Sequence, residues 1–261
     1  MSNDLTVRLR SLGLAATADG MSDLIASATK NRWSHVELLE HLAALEEKER
    51  SRKSLERRTA MSRIGRFKTM DAFEWSWPTQ IDRELVESSL ALDFIPPARN
   101  VVLVAPQGLG KTMIAQNIAH QAILAGHSVL FTSAAQLLLD LAAQESARAL
   151  ENRLKSYAKI GVLVLDEVGY LAFDKRNADL LFQVVCRRYE KKSLVLTTNL
   201  AFQDWPSIFP NATCATALID RVIHHADVIA IEGTSYRLRQ AELRKSARRS
   251  EPQEPGRRKV S

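Results

Sequence analysis

Lys111 and Thr112, set directly behind Gly108 and Gly110 in the stretch APQGLGKT (105–112), have the types and spacing to grip a polyphosphate. Two glycines let consecutive backbone N–H groups turn toward an anion, aided by the dipole of a following helix. Gly108, Leu109, Gly110, Lys111, Thr112 and Met113 would form that cradle, with the ammonium reaching the β/γ-phosphates and the Thr112 hydroxyl binding Mg²⁺. The full pattern G-x-x-x-x-G-K-[ST] asks for glycine where this chain has Ala105. Alanine there costs about 1 kcal/mol if a positive φ is demanded. The residues that would touch phosphate are all present, so the loop reads as functional, with nucleotide affinity as the property at stake.

A second group complements the loop. GVLVLDEVG (161–169) ends an apolar run in Asp166 and Glu167: Asp166 can hold Mg²⁺ and Glu167 can polarise an attacking water. SLVLTTN (193–199) ends in Asn199, placed to orient that water.

These residues need a scaffold that brings three chain segments to one edge. From residue 101 onward, short apolar runs alternate with helical stretches: VVLVA (101–105), SVLFTS (128–133), GVLVLDE, SLVLTTN and VIAIEG (228–233). Continuous Val/Leu runs separated by helices indicate a parallel sheet covered on both faces, whose ligands gather at the carboxyl ends of the strands. TMIAQNIAHQAILAG reads as the helix after the loop, closed by Gly126, and Ser133 with Gln136 forms a capping-box pattern for another. Upstream, Leu38, Leu39, Leu42 and Leu45 recur at helical spacing after Ser34, with Glu46–Arg50 and Glu49–Lys53 as i,i+4 pairs and Gly65 as the stop. The expected organisation is a small all-α domain over 1–66, a linker and lead-in over 67–100, an α/β P-loop domain with a parallel β-sheet flanked by helices over 101–245, and a basic flexible tail over 246–261.

The 261 residues include no apolar run of membrane-spanning length and no secretory start, so a soluble, cytoplasmic protein is expected. Cys186 and Cys214 form no C-x-x-C pair and read as reduced structural thiols, Cys186 in a core helix. His224 and His225 adjoin, but adjacent helical residues point apart, which speaks against a metal site. Trp75 and Trp77, beside Phe73 and Pro78, read as packing the linker onto the core rather than stacking on bases. The net charge of +6 is segregated: nine basic residues against two acidic ones over 48–68, and nine against three from Arg237 onward. Such segregation suits a polyanion. Arg50, Arg52, Lys53, Arg57 and Arg58 are the candidate phosphate contacts on duplex DNA, and no base-reading element accompanies them.

The order APQGLGKT, GVLVLDE, TTN, ALIDRVIHHAD and EGTSYR, with FEWSWPTQID upstream, resembles the IstB-type AAA+ ATPases, transposition helpers of insertion sequences related to the DnaC helicase loader. The resemblance covers nearly the whole chain. It implies an ATP- and Mg²⁺-dependent ATPase of the AAA+/ASCE class that forms homo-oligomers with ATP at subunit interfaces, remodels duplex DNA and activates the transposase of its own element, in association with the nucleoid. It also implies that Arg221 is the finger completing a neighbour's site and Arg237 the sensor arginine. The alternatives are a helicase loader and a nucleotide-gated scaffold that binds ATP without turnover; for Arg221 the competing reading is a salt bridge to Asp220 or Asp227.

Overall fold

The computed structural model describes residues 3–170, 172–210 and 212–240. The chain divides into two compact units, 1–60 and 61–261.

The first unit is helical: α1 (Asn3–Ser11), α2 (Ala15–Asn31) and most of α3 (His35–Ser62). Ser34 opens α3 with a reciprocal capping box: the Glu37 N–H donates to Ser34 Oγ at 3.2 Å, and the Ser34 N–H donates to the Glu37 carboxylate at 2.6 Å. Glu49 pairs with Lys53 at 3.2 Å as its spacing predicts. Glu46 does not pair with Arg50. It is buried and accepts the Thr17 N–H at 2.7 Å, satisfying a free donor at the start of α2. The stop also differs from the glycine expected: α3 ends at Ser62, where Arg63 already turns left-handed, before Gly65 does so again.

The second unit begins with a 3₁₀ turn (Met70–Ala72), a two-residue strand β1 (Gln80–Ile81) and α4 (Arg83–Ala91), capped by Asp82, whose carboxylate accepts the Leu85 N–H. Then follow β2 (Asn100–Val104), α5 (Lys111–Leu124), β3 (Val129–Ser133), α6 (Ala134–Ala142), α7 (Ala147–Lys159), β4 (Val162–Val168), α8 (Lys175–Arg188), β5 (Ser193–Thr198), α9 (Ala212–Ile223) and β6 (Ala226–Glu232). The sheet order is β1-β6-β2-β5-β4-β3, parallel except for β1, which runs antiparallel to β6. The lead-in therefore supplies an edge strand that no sequence period announced.

Alternation along the strands sorts side chains between two faces. Val102, Leu163, Leu165, Leu194 and Leu196 pack with α6–α9 in one apolar cluster. Val101, Leu103, Val164 and Val195 alternate with them and are fully buried, on the face that α5 covers. Asp166 and Thr197 continue that second register, which directs both at α5. No helix among the described residues is long and apolar enough to cross a membrane. The basic residues beyond Gln240 and the Cys214 side chain lie outside the described residues; Cys186 is an unpaired thiol, half-buried, and burial raises its pKa.

Arg188 is fully buried at the end of α8, with four backbone carbonyls as partners: Tyr157 (2.7 Å), Ile160 (2.8 Å), Gly161 (3.3 Å) and Ser193 (2.6 Å). Two of these belong to the end of α7 and the residue after it, so the guanidinium caps the negative end of one helix and ties it to the start of β5. Desolvation pulls its pKa down to about 9, while the carbonyl acceptors favour the charged form. Arg188→Ala would strand these acceptors, and we expect a loss of roughly 3 kcal/mol in denaturant unfolding, only partly restored in Arg188→Lys, whose single ammonium cannot span all four.

Candidate functional site

The phosphate-binding loop begins where β2 ends. The Ala105 N–H donates to the Thr198 carbonyl at 3.1 Å, extending the β2–β5 pairing by one residue, and Ala105 is buried with a φ that is not positive. The alanine therefore carries no conformational penalty. Positive φ falls instead on Gly108 (83°) and Gly110 (87°). A Cβ on Gly108 would lie 2.2 Å from Ser235 Oγ, and one on Gly110 would lie 2.6 Å from Phe73 Cε2, so both positions need glycine for space as well as for backbone.

The loop lines a cavity of about 680 Å³. Gly108, Leu109, Gly110, Lys111, Thr112 and Met113 meet there with Glu167, Asn199 and Arg237. Strand order explains the convergence. β5 lies between β2, which carries the loop, and β4, which carries the acids, so Asn199 stands just past the end of the strand between them.

The Lys111 ammonium donates to the carbonyls of Ala105 (2.6 Å) and Pro106 (2.8 Å). Partial burial lowers its pKa; Asp166 and Glu167 oppose that shift, and Arg237 adds to it. Two cations facing one cavity favour an anion of high charge density between them. Asp166 is buried, and both of its oxygens lie 3.1 Å from the Thr112 hydroxyl. Thr197 donates its hydroxyl to Asp166 at 2.5 Å and accepts the Glu167 N–H at 2.9 Å. A hydroxyl and a carboxylate make a hard, all-oxygen donor pair that fits Mg²⁺.

Thr197 and four other groups belong to the site although their sequence signal was slight. Phe73, Glu74, Trp77 and Tyr236 line the cavity. The Trp77 indole donates to the Thr234 carbonyl at 2.8 Å, and Arg239 lies over the Trp77 ring at 4.4 Å while pairing with Glu74 at 2.9 Å. The Tyr236 N–H donates to the Gly108 carbonyl at 3.1 Å. The cluster FEWSWP thus packs the linker onto the core and also walls the cavity.

Other sequence candidates stand elsewhere. Arg221, on α9, does not line the cavity; its guanidinium lies over the Phe182 ring at 4.9 Å and donates to the Ala217 carbonyl at 3.0 Å. Asp227, one suggested partner, pairs with Arg99 instead. Arg50, Arg52, Lys53, Arg57 and Arg58 lie on α3. Arg52 is held between Glu49 (2.6 Å) and Glu56 (2.5 Å), whereas Arg57 is exposed and no ion pair engages it among the described residues.

Comparison with known proteins matches residues 7–244 to the family of IstB-like ATP binding proteins. The chain belongs to that family. It is 34% identical over 238 residues to the ATP-binding protein of insertion sequence IS21 from Pseudomonas aeruginosa, covering 91% of this chain and 90% of that one. It is 34% identical over 235 residues to the counterpart in IS232 from Bacillus thuringiensis, covering 90% and 94%. Among solved structures, the DnaC helicase loader shares the fold with a TM-score of 0.50 at 16% identity, over 63% of this chain and 96% of that one. With its loop, sheet order and family, this IstB-like protein is an ATP-binding P-loop ATPase of the AAA+ class.

Glu167 sits at φ 60°, beside a register break between Leu165 and Val168 that turns its carboxylate from the sheet into the cavity. A non-glycine residue in that region carries about 1 kcal/mol of strain. Glu167→Gly should therefore raise stability by about 1 kcal/mol in chemical denaturation, while ATP turnover falls at least ~100-fold.

Proposed function

We propose that this IstB-like protein is an ATP-dependent transposition helper that oligomerises on duplex DNA, remodels it and activates the transposase of its own insertion sequence, working in the cytoplasm at the nucleoid. The observation that carries the catalytic part is the meeting of Lys111, Arg237, Glu167 and Asn199 around one cavity. Lys111 and the N–H groups of 108–113 bind the phosphates, and Arg237 senses the terminal one. Thr112 and Asp166 would hold Mg²⁺, which when bound offsets phosphate charge. Glu167 accepts a proton from the attacking water and Asn199 orients it.

Arg221 stands away from its own chain's cavity, which supports a role in trans. A guanidinium supplied by a neighbour makes hydrolysis depend on assembly, with ATP at the subunit interfaces. The helical region over 1–66 is the proposed DNA and partner contact, through Arg50, Lys53, Arg57 and Arg58 on α3. Arg52, neutralised by two glutamates, contributes least. The insertion-sequence origin of the relatives supports a transposase as partner.

ATP hydrolysis measured against protein concentration, with and without duplex DNA, tests the catalytic reading. Turnover should rise with assembly on duplex and vanish in Lys111→Ala, Glu167→Gln and Arg221→Ala. Mixing Arg221→Ala with Lys111→Ala should restore part of it, because an interface in which the Arg221→Ala subunit supplies the loop and the Lys111→Ala subunit the finger has both intact. Absence of turnover in the assembled wild type would refute the ATPase mechanism, and failure of the mixture would refute the finger in trans. For DNA, log affinity should fall with log salt at a slope of about −4, flattened by about 1 in Arg57→Ala and unchanged in Arg52→Ala.

A further inference from the structure

At the opposite end of the strands from the phosphate loop, a second cluster of ligand-type side chains comes together. The Asn100 N–H donates to the His225 carbonyl at 2.8 Å, which places His225 at the start of β2, whereas the loop follows the end of that strand. Because α9 stops at Ile223, His224 and His225 do not point apart as adjacent helical residues would; they occupy the turn into β6, with ring centroids 4.0 Å apart. Glu190 follows α8 in a left-handed conformation (φ 55°), and its Oε1 lies 3.2 Å from His225 Nε2. One ligand atom from each of Glu190, His224 and His225 lies within 4.8 Å of the others, and all three side chains are exposed.

We propose that Glu190, His224 and His225 form a binding site for a transition-metal dication of the zinc class. Two imidazoles and a carboxylate suit zinc, nickel or copper, whereas magnesium and calcium favour oxygen alone. A metal's donors must converge on one point, as these three do, and three protein ligands leave a coordination position for water or a further group. Tyr189 supplies the orienting contact that metal-binding histidines need: its Oη lies 2.6 Å from His224 Nδ1. With Nδ1 donating to the phenol oxygen, Nε2 keeps its lone pair for the cation. Nothing in this site touches the ATP cavity, so metal binding there is a separate property of the chain.

The test is a titration of the untagged full-length protein with Zn²⁺ by calorimetry, and with Co²⁺ by visible absorption, which reports coordination geometry directly. We expect saturable binding of one metal ion per chain, weakened at least ~10-fold in His225→Gln and in Glu190→Gln, less so in Tyr189→Phe, and unchanged in His127→Gln. Zinc should also raise the melting temperature of the wild type and of His127→Gln but not of His225→Gln, with metal-free melting of each variant establishing that it is folded. Binding that does not saturate, or that survives unchanged in folded His225→Gln and Glu190→Gln, would overturn the assignment.

Discussion

The architecture of the ATP cavity turns on one buried carboxylate. Asp166 ends the apolar run of β4 on the face covered by α5, where an unpaired charge would be costly. Its acceptors are satisfied by two hydroxyls from different elements, Thr112 on α5 and Thr197 on β5. That arrangement sets the first turn of the loop helix against the acidic strand. Thr197 passes the constraint on, because the same hydroxyl accepts the Glu167 N–H. The cradle, the proposed metal ligands and the proposed base are therefore positioned by one hydrogen-bonded node, and the sheet order supplies the distances between its members.

The sheet alone leaves the cavity open on one side. Its wall comes from two segments far apart in sequence, the lead-in around Phe73–Trp77 and the residues after β6 around Tyr236–Arg237. They are tied by the Trp77–Thr234 hydrogen bond, the Glu74–Arg239 pair and the short β1–β6 ladder. Arg237 is held at the loop both by the neighbouring Tyr236 N–H on the Gly108 carbonyl and by these ties to the lead-in. A residue proposed to sense the terminal phosphate thus shares one wall of the cavity with the lead-in segment.

Much of this was legible in the sequence, for identifiable reasons. Strands buried on both faces must be continuous apolar runs, so β2, β4 and β5 announce themselves, and the polar residues at their carboxyl ends, Asp166, Glu167 and Asn199, stand out against them. The loop was legible because glycine, lysine and threonine at fixed spacing have few other uses. What escaped was non-local. β1 has only two residues and no period to detect. Glu46 has an i,i+4 partner available but caps another helix, a preference that only the packing of α2 on α3 reveals. His224 and His225 looked helical because the preceding residues are, and only the helix end at Ile223 turns their rings together.

Ala105 and Glu167 show why departure from a motif and physical strain are different things. The motif places a glycine where this chain has alanine, yet the φ there is not positive, the N–H is paired with Thr198 and the residue is buried. Nothing at that position calls for glycine's freedom. Glu167 obeys the pattern and carries the unfavourable backbone, left-handed at φ 60° on a bulge that the flanking strands hold in place. A carboxylate in regular pleat after Asp166 would fall on the opposite face of the sheet, among the apolar residues beneath α6–α9. The bulge lets two consecutive acids serve one side, Asp166 inward toward Thr112 and Glu167 out into the cavity. The strain at Glu167 is thus the conformational cost of placing both acids at one site, and the stability of the surrounding parallel strands is what sustains it.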